Sequence, residues 1–415
     1  MRYSAVHKLD RVNLYQRRKH MKRNLSVVIM IAAVFFGMMQ TSIAQEKTEI
    51  VVGMTLCLTG RFAVEVGVFD RMVKAWENYV NTKQGGLYVK AYNKKLPVRT
   101  IIYDDKSDQA TAVKFYERLV NVDKCDILMG PKSSPITFPV TSVPEKYHVP
   151  MVLSTADTPA IFNRGYKWFV GVNGLSTGFS YYYFNLLEEE KKAKTIGYVG
   201  EDTPHTREVY EGAIADLEKR GFKTVYKEIA PAGATDFTPI LMKLKDANPD
   251  ILYLSTFVPM GVSFRKQAKE FGLKPREWHF IHIAKAFYDA LGKDTNCATG
   301  EYNWLPGMNY GNTKKFLEIV KEAKIDPEEY NDLGLHYAAL EAGEVGIENA
   351  ESLKPDDLIK SLWASKFESV VGPISYEPTK GYSSYHELTA QYVDGKIYIV
   401  SPKKIATHKH VYPTP

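Results

Sequence analysis

The sequence predicts an α/β protein of two successive units, each a parallel sheet covered by helices. Three observations lead there. From Glu49 onward, apolar strand-like runs alternate with helical patterns, as strand–helix–strand crossovers require. The 371 residues that follow Ala44 exceed what one hydrophobic core usually serves, so two domains are expected. Finally, an apolar run three times ends in a polar loop from which Ser/Thr-Pro opens a helix: DILMGPKSSPITF, PMVLSTADTPAIF and TIGYVGEDTPHTREVYEGAIADL.

In that third pattern Ser134, Thr158 and Thr203 read as N-caps, and Pro135, Pro159 and Pro204 as first-turn prolines. Proline has no N–H to lose there, and its φ already suits a helix. Helix N-termini then lie beside strand C-terminal ends, with free amide donors facing a common crevice. Such a crevice suits a small anion or carboxylate.

The chain opens on a leader, residues 1–44. Met21-Lys22-Arg23 supplies a basic start, Val27 to Met39 a short apolar core, and Ser42-Ile43-Ala44 a small-x-small cleavage site before Gln45. Residues 1–20 are basic and patternless, which leaves Met1 and Met21 as alternative starts. The apolar run is short for a membrane span, and no later stretch approaches the ~20 apolar residues that one needs. A cleaved signal peptide is therefore expected, and no cysteine follows it to carry a lipid anchor. The periplasm of a double-membraned bacterium is the expected compartment.

The leader also carries the charge. The whole chain has 54 Lys/Arg against 48 Asp/Glu, but residues 45–415 have 46 against 47, so +6 becomes −1. A nucleic-acid or polybasic membrane role loses its compositional support, and no nucleic-acid partner is expected. Cys57, Cys125 and Cys297 form neither a disulfide framework nor a CxxC metal knuckle.

The elements follow in order. EIVVGMTL, LPVRTIIYDD, CDILMG and VPMVLS read as strands, each followed by a helix: 69–81, 110–121, 135–147 and 159–163. Gly165 to Gly178, with four glycines and little periodicity, reads as a crossing. A second series begins at AKTIGYVG and continues through a helix at 206–220, FKTVYKEIA, a helix at 239–247, DILYLST, a helix at 261–271 and EWHFIHI. Helices at 312–324, 332–349 and 355–365 are placed to return to the first sheet. HELTAQYVDGKIYIVSP, with an Asp-Gly turn, reads as a hairpin added to the second unit, and ATHKHVYPTP as a loose tail.

The series GMTLCLTG, IIYDDKSDQATAV, GPKSSP, VPMVLSTADTP, RGYKWFVGV, TDFTPILMKLKDANPDILYLS and QYVDGKIYIV resembles type I periplasmic solute-binding proteins of ABC transporters. Within that group it is similar to the leucine/isoleucine/valine-binding branch, over roughly Glu49 to Lys403. The resemblance implies two Rossmann-like lobes with parallel central sheets joined by three hinge crossovers, closing on ligand by hinge bending. Lobe 1 is expected to span 45–172 plus 305–371, lobe 2 173–304 plus 372–405, and the tail 406–415. It further implies a small-molecule ligand, an inner-membrane ABC permease as partner, a monomer, no cofactor and no reaction.

Carried onto this chain, the family's ligand loops correspond to Ser133 and Ser134, and to Thr155, Ala156 and Asp157. His205 stands where tyrosine is frequent, and STFVPMG, which follows the third strand of the second series, adds Phe257 and Val258. Two departures matter. Amino-acid-binding members commonly place an acid in the loop after HFIHI, whereas this chain has Ala284 and Lys285. Asp157 stands where small or hydroxyl residues are usual, and the first loop carries Arg61 and Phe62. A buried ammonium without an acceptor is costly. Either Asp157 supplies the acceptor, or the ligand has no ammonium and Arg61, Lys132, His205 or Lys285 reads a carboxylate. Phe62, Phe257 and Trp304 are expected to cover the apolar part of the ligand.

Other chemistries find little support. Asp104-Asp105 reads as a cap for the helix near Asp108 rather than an acid/base pair. His279 and His282, three apart on a strand, face opposite ways and do not form a metal pair; His408 and His410 read as solvated. GxGxxG, P-loop and HExxH motifs are absent. Two alternatives remain: the same fold as a ligand sensor for a signalling partner, and a secreted α/β enzyme using His205 and Asp157.

Overall fold

A computed structural model describes residues 47–414. The expected leader, 1–44, lies outside the described residues. The first sheet begins with β1 (Ile50–Leu56), which is buried along its whole length, as a central parallel strand covered on both faces must be. A small antiparallel hairpin follows, β2 (Leu87–Val89) and β3 (Lys94–Leu96). β4 (Val98–Asp104), β5 (Ile127–Met129), β6 (Met151–Leu153) and β7 (Phe169–Gly171) complete a parallel sheet in the order β4-β1-β5-β6-β7.

The second sheet repeats that plan. β8 (Thr195–Glu201), β9 (Lys223–Ala230), β10 (Ile251–Ser255), β11 (Glu277–Phe280) and β12 (Thr299–Tyr302) run parallel in the order β9-β8-β10-β11-β12. After a separate hairpin of β13 (Lys366–Ser369) and β14 (Gly372–Ser375), β15 (Leu388–Val393) and β16 (Lys396–Ser401) join β12 antiparallel. Their turn is the expected Asp394-Gly395, with both residues at positive φ. In each sheet strand order reverses beside the first strand, between β1 and β5 and between β8 and β10. Loops at the carboxyl ends of these strands diverge there and leave a crevice.

Helices occupy the expected segments: Phe69–Thr82, Gln109–Asn121, Pro204–Lys219, Thr238–Ala247, Val258–Glu270, Thr313–Ala323, Leu333–Asn349 and Pro355–Ala364. The helix expected at 135–147 is instead two, Ser134–Val140 and Ser142–Tyr147. Pro139 and Pro144 explain the break, since each removes an amide donor and crowds the preceding turn.

The chain passes between the two lobes three times: after β7, after β12, and between β14 and β15. The 313–323 and 333–349 helices return to the first lobe, packing on the 69–82 helix and on β5 and β6. The expected boundary at 371/372 falls inside the β13–β14 hairpin, so the third passage lies later, in the segment leading to Leu388.

The tail departs from expectation. Val411 and Gln391 exchange hydrogen bonds of 2.9 and 3.0 Å, and Thr414 N donates to Arg276 O. His410, expected in solvent, is buried with Nδ1 3.1 Å from Glu190 and Nε2 3.4 Å from Glu277. Glu277 is buried at the start of β11, and the imidazole draws the tail in as a partner for that carboxylate.

Candidate functional site

Residues from the carboxyl ends of both sheets converge on a small enclosed cavity of about 10 Å³. Lys132, Ser133 and Ser134 come from the loop after β5, Thr155 from that after β6, and Asn173 from that after β7. His205, at the start of the 204–219 helix, Phe257, after β10, and His282, after β11, face them from the second lobe. Asp332, just before the 333–349 helix, and Glu387, just before β15, complete the lining.

Asp157 ties the two lobes together. Its Oδ1 accepts from Ser134 Oγ at 2.9 Å and lies 2.7 Å from His205 Nδ1, while its backbone N–H donates back to Ser134 Oγ at 3.1 Å. Ser134 therefore serves Asp157 rather than capping its helix; Ser133 holds the N-cap position, and its hydroxyl makes no capping bond. Thr158 likewise donates to Glu208 across the lobes, with Ser176 Oγ 2.8 Å from the same carboxylate oxygen. Only Thr203 of the three expected caps accepts from its own helix, from Thr206 N. Tertiary partners outcompete the local bond at the other two.

Lys132 is buried, with Nζ 3.0 Å from Glu65 and paired also to Asp332. Its charge is thus met by two carboxylates before anything else approaches. His282 stacks on Phe257, centroids 5.3 Å apart, and Phe179 meets both His205 and His282 edge-on. Burial, then the charge of Lys132 and the His205 ring, push the His282 pKa well below its ordinary range, so this ring is neutral. Burial, then the neighbouring Glu301 and Asp157, push Glu387 well above the carboxylate range.

Several lining atoms find no hydrogen-bond partner within the protein: Ser133 Oγ, Thr155 Oγ1, His205 Nε2, His282 Nε2 and Glu387 Oε2. Buried polar atoms are normally paired, because each orphan costs about 1–3 kcal/mol. Their convergence on one cavity, from two lobes, marks a place built to receive polar groups.

Among the other expected residues, Arg61 pairs with the buried Glu201 across the lobes, its guanidinium 5.2 Å from the Phe62 and Phe257 ring centres. Phe62 meets Phe257 edge-on at 5.0 Å. Ala156 is fully buried beside the site. Neither Arg61, held by Glu201, nor Phe62 is among the cavity-lining residues, and two further expectations are corrected. Lys285 does not reach the cavity: it opens the 285–291 helix and turns to Asp289 one turn along, at 2.5 Å, in an outer groove. Trp304 packs in the core against Phe316, centroids 5.0 Å apart, with its Cβ pressed on Gly334.

Sequence reasoning missed Asn173, Phe179, His282, Asp332 and Glu387 as cavity residues. His282 carried a signal, since it lies just past β11 while His279, within the strand, is buried against Tyr183 and Tyr253. Glu387 carried none, because its place depends on the third passage between lobes. Among the described residues no group of three His, Cys, Asp or Glu is arranged to hold a metal ion, and no helix is long and apolar enough to cross a membrane.

Loops of two switch points facing one another fit a hinged capture device, and a profile of the periplasmic binding proteins matches residues 49–394. The chain belongs to the periplasmic binding protein family. This periplasmic binding protein is similar to the leucine-, isoleucine-, valine-, threonine- and alanine-binding protein of Pseudomonas aeruginosa, 28% identical over 285 residues covering 67% of this chain and 74% of that one. It is 24% identical to the Leu/Ile/Val-binding protein of Escherichia coli K12, covering 68% and 75%. Its fold matches the isoleucine complex of a Streptococcus pneumoniae branched-chain amino acid transporter binding protein, with a TM-score of 0.72 at 18% identity over 88% of this chain and 100% of that one. It matches equally a Rhodopseudomonas palustris solute-binding protein in complex with 4-hydroxybenzoate, TM-score 0.72 at 19% identity over 87% and 97%.

Proposed function

We propose that this chain is the substrate-binding component of an ABC importer, working in the periplasm and delivering a small carboxylate-bearing metabolite to an inner-membrane permease. The observation that carries this reading is the interlobe cavity with its unpartnered polar atoms. The hydroxyls of Ser133 and Thr155, with His205, take the carboxylate, and Phe257, Phe179 and the neutral His282 ring cover the apolar part. Relatives named for amino acids and a fold match holding an aromatic acid share a carboxylate as the common element. No chemical step is assigned to the site, in keeping with relatives that are named as binding proteins.

A cavity of about 10 Å³ holds about one water molecule, so the lobes must part to admit a metabolite and close again around it. Mass spectrometry of small molecules released from natively purified protein tests the proposal, followed by thermal-shift titration of what is found. A bound carboxylate-bearing metabolite is expected, and at ~100 times its dissociation constant it adds about 2.7 kcal/mol of stability. Turnover of that metabolite on long incubation would instead favour an enzyme.

A further inference from the structure

The lining is unusually acidic for a site that takes a carboxylate. Lys132 is already shared between Glu65 and Asp332, and Asp157 adds a third carboxylate. Even with His205 counted as a cation, the cavity and its immediate support carry more negative than positive charge. A ligand with only a carboxylate adds to that excess. One that also bears a cationic nitrogen cancels it.

Glu387 is the group placed to receive such a nitrogen. It is 2% exposed, lines the cavity, and its Oε2 has no partner in the protein. The charged and titratable groups around it are Glu301 on β12, Asp157 after β6 and Lys132 after β5, with His205, His282 and Asp332 elsewhere on the cavity wall. Two of its nearest charges are carboxylates, and without a cation it stays in its acid form.

We propose that Glu387 accepts the cationic nitrogen of the ligand and releases its proton to solvent on doing so. The inference rests on the ligand-binding reading above and narrows the ligand to molecules carrying both an ammonium and a carboxylate. The exchange balances: the Glu387 carboxylic acid and an incoming R–NH3+ become a carboxylate–ammonium pair and one H+ in solvent. The carboxylate of the ligand lies away from Glu387, toward the Ser133 and Thr155 hydroxyls.

The test uses a panel of amino acids, each paired with its deaminated acid, together with benzoate and 4-hydroxybenzoate. Binding to the whole mature protein is measured by calorimetry at pH 7 in buffers of different ionisation enthalpy, which counts protons exchanged. At least one amino acid is expected to bind tenfold or more tightly than its deaminated partner and to release about one proton per ligand. In Glu387→Gln that release falls to near zero and affinity drops at least tenfold. Should this variant not melt cooperatively, the wild-type proton count decides alone. Tight binding of the deaminated acids or benzoates, or amino acid binding without proton release, overturns the role of Glu387 and leaves the receptor reading standing. If no member of either class binds, the carboxylate-receptor reading falls, and the inference with it.

Discussion

Asp157 shows how much one side chain decides here, for it orients Ser134 and reaches His205 through the same oxygen. Ser134→Ala removes a hydroxyl that both donates to and accepts from Asp157, and leaves that carboxylate less well held. We expect it to weaken ligand binding about tenfold in calorimetry, or ~1.4 kcal/mol, with cooperative melting retained. Unchanged affinity would remove Ser134 from the site. Glu341 offers a test away from the cavity. Burial, with help from Glu344, raises its pKa to about 7 although its carboxylate accepts from Val370 N at 2.9 Å. Below the ordinary glutamate pKa both folded and unfolded chains hold the proton. As pH rises from there to about 7 only the unfolded chain releases it, so wild-type stability falls across that window. Glu341→Gln, which never ionises, should gain on the wild type over that range by up to about 3 kcal/mol, read as a melting-temperature difference that is absent at pH 4 and grows to pH 7.

Among the elements, the C-terminal strap is the one whose stability should follow a single histidine. Burial opposes a charge on His410, but the Glu277 carboxylate 3.4 Å from its Nε2, joined by Glu190, outweighs it and raises its pKa above the ordinary value. A raised folded-state pKa contributes stability that is complete below the unfolded value and is lost as pH climbs through the folded one. Among the described residues, His410→Ala also leaves Glu277 with only the hydroxyls of Tyr183 and Thr299 as donors. A loss of about 3 kcal/mol is expected near pH 5.5, seen in chemical denaturation, with a smaller difference between variant and wild type at pH 9. A constant difference across that range would make the histidine a packing residue only. The strap was not legible in ATHKHVYPTP, because none of its anchors, Gln391, Glu277, Glu190 and Arg276, is near it in sequence. The paired helices at 134–140 and 142–147 were legible in principle, since Pro139 and Pro144 stand in the sequence, whereas the tie between Thr158 and Glu208 was not.

At the scale of the whole molecule, the contacts that hold the lobes closed include Arg61 with Glu201, Phe62 with Phe257, Asp157 with His205, Thr158 with Glu208, and Asn331 with His282. Contacts made only on closure favour the closed form and so add to ligand affinity. Arg61→Ala, at the most exposed of these, should weaken binding about three- to tenfold, and small-angle scattering should show a smaller ligand-induced contraction than in the wild type. An unchanged contraction would mean that closure does not need this pair. By itself the sequence determined the alternation of strand and helix, the two-lobed plan, the Asp-Gly hairpin and the loops carrying Ser133, Thr155 and His205, because hydrophobic period, proline and glycine act over a few residues. Tertiary structure alone decided that Lys132 is spent on Glu65 and Asp332, that Trp304 packs the core, that Lys285 turns outward, and that Glu387 meets the cavity. Each depends on which distant carboxylate or ring arrives beside it when the chain crosses between lobes, and burial then sets its charge.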